Sequence, residues 1–318
     1  MRILVLGGTA FVGRAIVEDA LVRGAEVTLF GRGRTGTDLF PQTSRRIGDR
    51  DTGDYSALRD GEWDAVVDVS GYVPRHVGQA MAVLGDRVGR YLFVSSQAVY
   101  VQSGIGPGSD EDTPRRPPVR DTEELDNDTY GPCKVACEDD VLARYGDRAT
   151  IVRPGKVAGP HDVQETFTYW TRRAARGGRV ALPGRPEQPI QIVDSRDLAR
   201  LVTQLLIDNR PGAFHAVGPA EPTTLGDLIH TCAHVAGTEV EIVPVSPDAV
   251  PGPFPLVTPE HQWAARQRSA ARARAAGLPS TPLSTTAADV LAWDRARGEP
   301  PLSQGLSPEQ EARLLDKT

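Results

Sequence analysis

Ile3-Leu4-Val5-Leu6-Gly7-Gly8-Thr9-Ala10-Phe11-Val12-Gly13 stands at the head of the chain. The unbroken apolar run reads as a strand covered on both faces, and the glycines after it as a tight turn opening onto a helix. That helix is expected over residues 11–23, since Ala15, Ile16, Ala20 and Leu21 recur at helical spacing and Gly24 supplies a stop. Further apolar runs at residues 26–30, 65–69, 91–95 and 150–153 alternate with helix-like stretches, among them 58–63 and a long one near 76–84. Strands separated by helical crossovers lie parallel in one sheet, so the expected fold is α/β, a Rossmann-type doubly wound parallel sheet.

A smaller C-terminal substrate-binding lobe is expected beside it. Residues 1–160 read as the dinucleotide-binding part, with later elements near 190–218 returning to it, 161–297 mainly as the lobe, and 298–318 as a loosely ordered tail. Helices are expected at 167–175, 195–208, 223–236 and 260–276, and strands at 191–194 and 240–245. Residues 101–128, rich in Gly, Pro, Asp and Glu, read as a lid, because a loop this long inside a compact domain is usually functional.

At 318 residues, with 39% hydrophobic and 25% charged, the composition is globular, and no apolar run approaches the ~20 residues that span a bilayer. The expected setting is the cytoplasm, with no membrane. Three cysteines, Cys133, Cys137 and Cys232, make an odd, sparse set that suits a reducing compartment. Cys133 and Cys137 lack a second pair, and His230 and His234 lack a third ligand, so no metal is expected. A net charge of −6 argues against nucleic acid as a partner. The one basic cluster, from Arg266 to Arg274, reads as the solvated face of a helix.

A pyrophosphate needs close backbone approach and exposed N–H donors, which a glycine turn at a helix amino end supplies. The turn residues Gly7, Thr9, Ala10, Phe11, Val12 and Gly13 are therefore the candidate dinucleotide contacts, although Ala10 stands where the strict pattern has glycine. The second strand ends in Gly31-Arg32-Gly33-Arg34 and not in a carboxylate. Arginine can hold a 2′-phosphate that an acid would repel, so Arg32 and Arg34 point to NADP in preference to NAD. Asp49 could contact the adenine amine or serve a turn.

Tyr130 and Lys134 lie four apart, hence on one face of a helix. An ammonium there favours the phenolate of a tyrosine whose ordinary pKa is about 10. Ser96, just past the fourth long strand, falls at the carboxyl edge where open α/β sheets bind ligands. In order along the chain, the glycine turn, Asp68-Val69-Ser70-Gly71, Val94-Ser95-Ser96 through Tyr100, Tyr130 to Lys134 and Arg153-Pro154-Gly155-Lys156-Val157-Ala158-Gly159-Pro160 resemble the extended short-chain dehydrogenases/reductases, the NAD-dependent epimerase/dehydratase family.

The resemblance covers about residues 1–250. It implies that Ser96, Tyr130 and Lys134 are the catalytic set and that Lys134 also holds the cofactor. Asp68, Ser70 and Gly71 are similar to the loop beside the cofactor ribose, and Pro154 and Val157 to the stretch near the nicotinamide. The implied activity is an NAD(P)-dependent oxidoreduction of an alcohol or ketone on a small molecule, a sugar nucleotide or secondary metabolite among the options. The alternatives are a sugar-nucleotide epimerase that retains its cofactor, and a non-catalytic dinucleotide-sensing or RNA-associated protein. Gln97 and Ala98 stand where dehydratases of the family carry an acidic pair, which disfavours dehydration. Arg172, Arg173, Arg176, Arg179 and Arg185 are candidates to meet a sugar nucleotide, and His161 to touch substrate. A monomer or a homodimer fits the resemblance.

Overall fold

In the computed structural model, which describes residues 1–250 and 252–317, the first half follows the expected alternation closely. It runs β1 (Arg2–Leu6), α1 (Phe11–Val22), β2 (Glu26–Gly31), β3 (Ser44–Ile47), β4 (Trp63–Asp68), α2 (Pro74–Leu84), β5 (Val88–Val94), α3 (Tyr130–Tyr145) and β6 (Ala149–Pro154). There follow β7 (Lys156–Ala158), α4 (Thr166–Ala174), β8 (Gly178–Leu182), β9 (Pro189–Ile190), β10 (Ile192–Asp194), α5 (Ser195–Ile207) and β11 (Gly212–Ala216). The last elements are β12 (Thr223–Thr224), α6 (Leu225–Ala236), β13 (Val240–Pro244), α7 (Ala271–Ala275), α8 (Leu283–Ala296) and α9 (Pro308–Leu315).

Seven parallel strands form the main sheet in the order β11-β6-β5-β4-β1-β2-β3. β1 divides its residues between two cores: Ile3 and Val5 join the face covered by α1 and α5, Leu4 and Leu6 the face covered by α2 and α3. This is why its apolar run is continuous and not alternating. Because β1 pairs with β2 on one side and β4 on the other, the strand order reverses there, and the crevice beyond the carboxyl ends of β1 and β4 is where such sheets take ligands.

A third apolar cluster, including Phe167, Trp170, Leu182, Leu228 and Val290, lies outside the sheet and unites α4, β8, α6 and α8. Three expectations change here. Residues 58–63 are not a crossover helix but a 3-10 turn at Ser56–Leu58 leading into β4. The stretch 260–276 is broken into a 3-10 segment, Glu260–Arg266, and the short α7. The tail carries a docked helix: Glu311 of α9 is buried and takes Arg173 and Arg176 as ion partners while accepting from the Ala181 amide at 3.1 Å.

Candidate functional site

The first glycine-rich turn builds a cradle by sterics. A Cβ on Gly13 would lie 1.9 Å from the Gly7 carbonyl oxygen, so only glycine lets α1 start this close to the end of β1. Ala10 caps α1 with ordinary extended backbone, φ −130°, which is why alanine is accommodated where the strict pattern has glycine. Its side chain gives no cap, and the first turn holds no acidic residue, so the amino-terminal N–H groups of α1 are left for a ligand. Phe11 sits at φ 30°, a conformation that costs a non-glycine residue and is held by its surroundings. Val12 is half-buried against the core, and Thr9 Oγ1 lies 3.3 Å from Thr35 Oγ1, joining this turn to the loop after β2. The donor set and the shape both fit a dinucleotide pyrophosphate.

Arg32 and Arg34 are exposed on that loop. Arg32 meets Asp51 at 3.4 Å across solvent, a weak pairing, whereas Arg34 has no partner among the described residues. Asp49 lies two residues past β3, exchanges backbone hydrogen bonds with Asp54 at 2.9 Å each way, and accepts from the Asp51 amide at 3.0 Å. Its turn role is thus visible.

After β4 the chain folds over a buried ion pair that the sequence reading missed. Arg50 donates to both Asp68 carboxylate oxygens, at 2.6 and 2.7 Å, and to Ser70 Oγ at 2.9 Å. Asp68 is fully buried, and also accepts from Tyr91 Oη at 2.7 Å and the Ser70 amide at 3.2 Å. Burial opposes its ionisation, yet Arg50 and Tyr91 hold its carboxyl below the usual range. Asp68 was expected at the cofactor. With every contact directed inward, its carboxylate supports the loop from beneath, and Ser70 and Gly71 form the loop's upper part. Arg50 carries no sequence signal, since a lone arginine after a short strand looks like a surface residue.

Ser96 and Tyr130 come together where the segment after β5 meets the start of α3, with Lys134 one turn further along that helix. Gly131 makes this possible: a Cβ there would stand 2.1 Å from the Ala98 carbonyl oxygen, so α3 can begin against the segment after β5 only with glycine. Ser96 Oγ accepts from the Ala98 amide at 3.1 Å, capping the 3-10 turn Gln97–Val99. Tyr130 is the first residue of α3, and Pro132 is tolerated because it too lies in the first turn. Burial is the main influence on the Tyr130 phenol and pushes its pKa up, while a hydrogen bond with Ser96 acts the other way. This corrects the expectation of a depressed phenol.

The reason is where the ammonium goes. Lys134 Nζ donates to the Gly71 and Val94 carbonyls at 2.7 Å each and lies 4.0 Å from the centre of the Phe93 ring. Buried in this cage, Lys134 is itself lowered to about 8 by desolvation. Tyr72, half-exposed, places its ring 5.7 Å from the same ammonium.

Pro154 ends β6, and Val157 pairs with Val193 where β7 meets β10. His161, at φ 71°, packs edge-on against Trp293. Three of the arginines expected to meet a sugar nucleotide are engaged elsewhere, Arg172 with Asp294 through two 2.7 Å bonds and Arg173 and Arg176 with Glu311, whereas Arg179 and Arg185 are exposed. The cationic cavity is made instead by the cluster read as a solvated helix face. Arg266, Arg268 and Arg274, with Gln191, Thr223 and Glu221, line a space of about 170 Å³. Arg268 is buried, and its Nε has no partner.

The segment 101–128 is not a free lid. Glu111 accepts from the His215 amide at 2.7 Å, Arg115 bridges Glu138 and Asp139, Arg120 meets Asp140, and Glu123 meets Arg75. Cys133 and Cys137 are both buried on α3. Among the described residues, no group of three or more His, Cys, Asp or Glu side chains could hold a metal, and no helix is long and apolar enough to cross a membrane.

This sheet, with its glycine turn at the switch point and a tyrosine and lysine on one helix, is that of the extended short-chain dehydrogenases/reductases. The chain belongs to the NAD dependent epimerase/dehydratase family, whose sequence model matches residues 3–216. It is 26% identical over 263 residues to the chloroplast stem-loop binding protein of 41 kDa b of Arabidopsis thaliana, covering 77% of this chain. The match spans 66% of that relative's length. Among solved structures, it is similar to UDP-glucuronic acid 4-epimerase from Bacillus cereus in complex with NAD, with TM-score 0.72, 16% identity, and 93% of this chain and 99% of that one covered. UDP-glucose 4-epimerase of Thermus thermophilus in complex with NAD gives TM-score 0.66 and 19% identity, with 93% and 99% covered.

Proposed function

We propose that the protein is an NAD(P)-dependent oxidoreductase that exchanges an alcohol and a ketone on an anionic small molecule, with Ser96, Tyr130 and Lys134 as its catalytic set. The observation that carries this reading is the meeting of Tyr130 and Ser96 beside a caged lysine, at the carboxyl edge of a sheet whose first turn fits a pyrophosphate. When bound, the nicotinamide supplies the group that gives or takes hydride. Gly7, Thr9, Ala10, Phe11, Val12 and Gly13 would hold the pyrophosphate, and Ser70, Gly71, Pro154 and Val157 would flank the remainder. Arg34, exposed and without a partner among the described residues, supports NADP over NAD.

Tyr130, held above its ordinary pKa, carries its proton at neutral pH. In the reductive direction it can donate that proton to a carbonyl oxygen that Ser96 orients. Lys134 has three N–H donors, two of them given to carbonyls, and the third can serve a ribose hydroxyl. The arginine cavity supports a substrate bearing phosphate or carboxylate, because three arginines, Arg266, Arg268 and Arg274, line it against one acid, Glu221. A sugar nucleotide is one such substrate, and with it an epimerase that keeps its cofactor.

Titrating the protein with NADPH and NADH by fluorescence, then adding phosphorylated ketones and sugar nucleotides while following reduced-nicotinamide absorbance, tests the proposal. Binding of either dinucleotide with turnover of an anionic carbonyl compound is expected, and absence of dinucleotide binding would refute it. A second reading, an RNA-associated protein, is favoured by the Arabidopsis relative alone. Stem-loop RNA retained at physiological salt, with no turnover in the same screen, would replace the first reading by this one.

A further inference from the structure

We infer that Arg50 is a positioning residue: it clamps the Asp68–Gly71 turn and so sets the place of both the Lys134 ammonium and the first glycine turn. The inference rests on the reading above and adds a residue to it. Three contacts make the chain continuous. Arg50 grips both Asp68 oxygens with its fork and reaches Ser70 Oγ through the same Nη1, Ser70 Oγ donates to the Leu6 carbonyl at 3.2 Å next to Gly7, and Lys134 donates to the Gly71 carbonyl at 2.7 Å.

The clamp is itself fixed. Arg50 donates to the His76 carbonyl at 3.2 Å, and Tyr55 Oη donates to that same carbonyl at 2.8 Å. Arg75 Nη1 donates to the Arg50 carbonyl at 3.2 Å, which ties the clamp's own backbone to α2. A turn that only had to close would not need a guanidinium buried to 8% exposure with four distinct polar partners. An ammonium in its place would keep the charge and could reach Asp68 Oδ1 and Ser70 Oγ, which share Nη1, but could not also hold Asp68 Oδ2, the His76 carbonyl and Tyr55 Oη, which Nη2 and Nε reach, because lysine is a point donor and arginine a rigid fork. Removing Arg50 alone would strand a buried carboxylate and threaten folding. Replacing both charged partners with apolar side chains is commonly tolerated.

The test therefore uses Arg50→Lys and the double variant Arg50→Met/Asp68→Leu, with the full chain. Lys134, Lys156 and Lys317 are the only lysines of the chain, so lysine labelled with ¹³C at Cε reads the Lys134 titration directly. In R50K the midpoint of Lys134 should leave its value of about 8 although the charge at position 50 is unchanged. NADPH should bind about tenfold more weakly in both variants, the loss expected for a hydrogen bond to a charged group, while the double variant melts near the wild-type temperature. An unchanged Lys134 midpoint in R50K overturns the inference, whatever the dinucleotide affinity does. If the wild type binds neither NADPH nor NADH, the functional reading fails separately, and the Lys134 midpoint still decides the role of Arg50.

Discussion

Replacing Lys134 with methionine should change the shape of the stability curve against pH, and not merely its height. In the native state Lys134 is buried and lowered to about 8, whereas in the unfolded chain it titrates near its ordinary value of about 10.4. Below about pH 8 both states carry the proton, and the native state bears the cost of burying the charge. As pH rises through the folded value, the native lysine loses its proton while the unfolded one keeps it. The unfolded state then binds more protons, so stability rises across the window from about 8 to about 10.4. Each pH unit in that window contributes about 1.4 kcal/mol, so at about pH 9.5 the wild type should have gained ~2 kcal/mol relative to its own value at neutral pH from this group. Other groups titrate there too, among them the Cys137 thiol of the unfolded chain, since burial pushes the native thiol up to about 12. The quantity to measure is thus the difference between wild type and K134M, by urea unfolding at several pH values.

The absolute offset between the two proteins is a contest, since methionine removes the buried charge but leaves the Gly71 and Val94 carbonyls without their donor. The slope is not a contest. Wild-type and K134M curves that run parallel from neutral pH to about pH 9.5 would refute the caged-ammonium account.

Two further outcomes follow from the geometry of the turn and the loop beside it. Gly13→Ala sets a Cβ into the Gly7 carbonyl, so α1 must shift; about 1–3 kcal/mol of stability should be lost in thermal unfolding, and dinucleotide binding by fluorescence should weaken sharply. Arg34→Glu should reduce NADPH affinity about tenfold or more while leaving NADH affinity nearly unchanged, measured by the same titration; an equal effect on both would remove the case for NADP.

Much of the sheet could be read from the chain because its signals are local. Continuous apolar runs such as Ile3 to Leu6 are what a strand covered on both faces requires, and the glycines at 7 and 13 are demanded by contacts within a few residues. That Tyr130 and Lys134 share α3 was likewise visible as helical spacing. What stayed hidden depends on distant partners. Arg50 is defined by Asp68, and the second-lobe arginines by Asp294 and Glu311 at the far end of the chain, so a count of cations could not separate those already neutralised from those lining a cavity. The basic run from Arg266 to Arg274 misled for a related reason: it breaks between two short helical segments, and that break turns Arg266 and Arg268 inward. The direction of the Tyr130 shift was also out of reach, because it depends on how deeply the phenol is buried and on which atoms take the lysine's protons.

The central claim is that a phenol on α3 transfers the proton while other parts of the chain hold the dinucleotide. Tyr130→Phe keeps the ring and removes only the hydroxyl. Turnover on an anionic carbonyl substrate should fall by about 10²–10⁴ in Tyr130→Phe. The dissociation constant for NADPH, measured in the same preparation, should stay within about twofold, well under 1 kcal/mol. Turnover that survives the change, or dinucleotide affinity that collapses with it, would contradict the account.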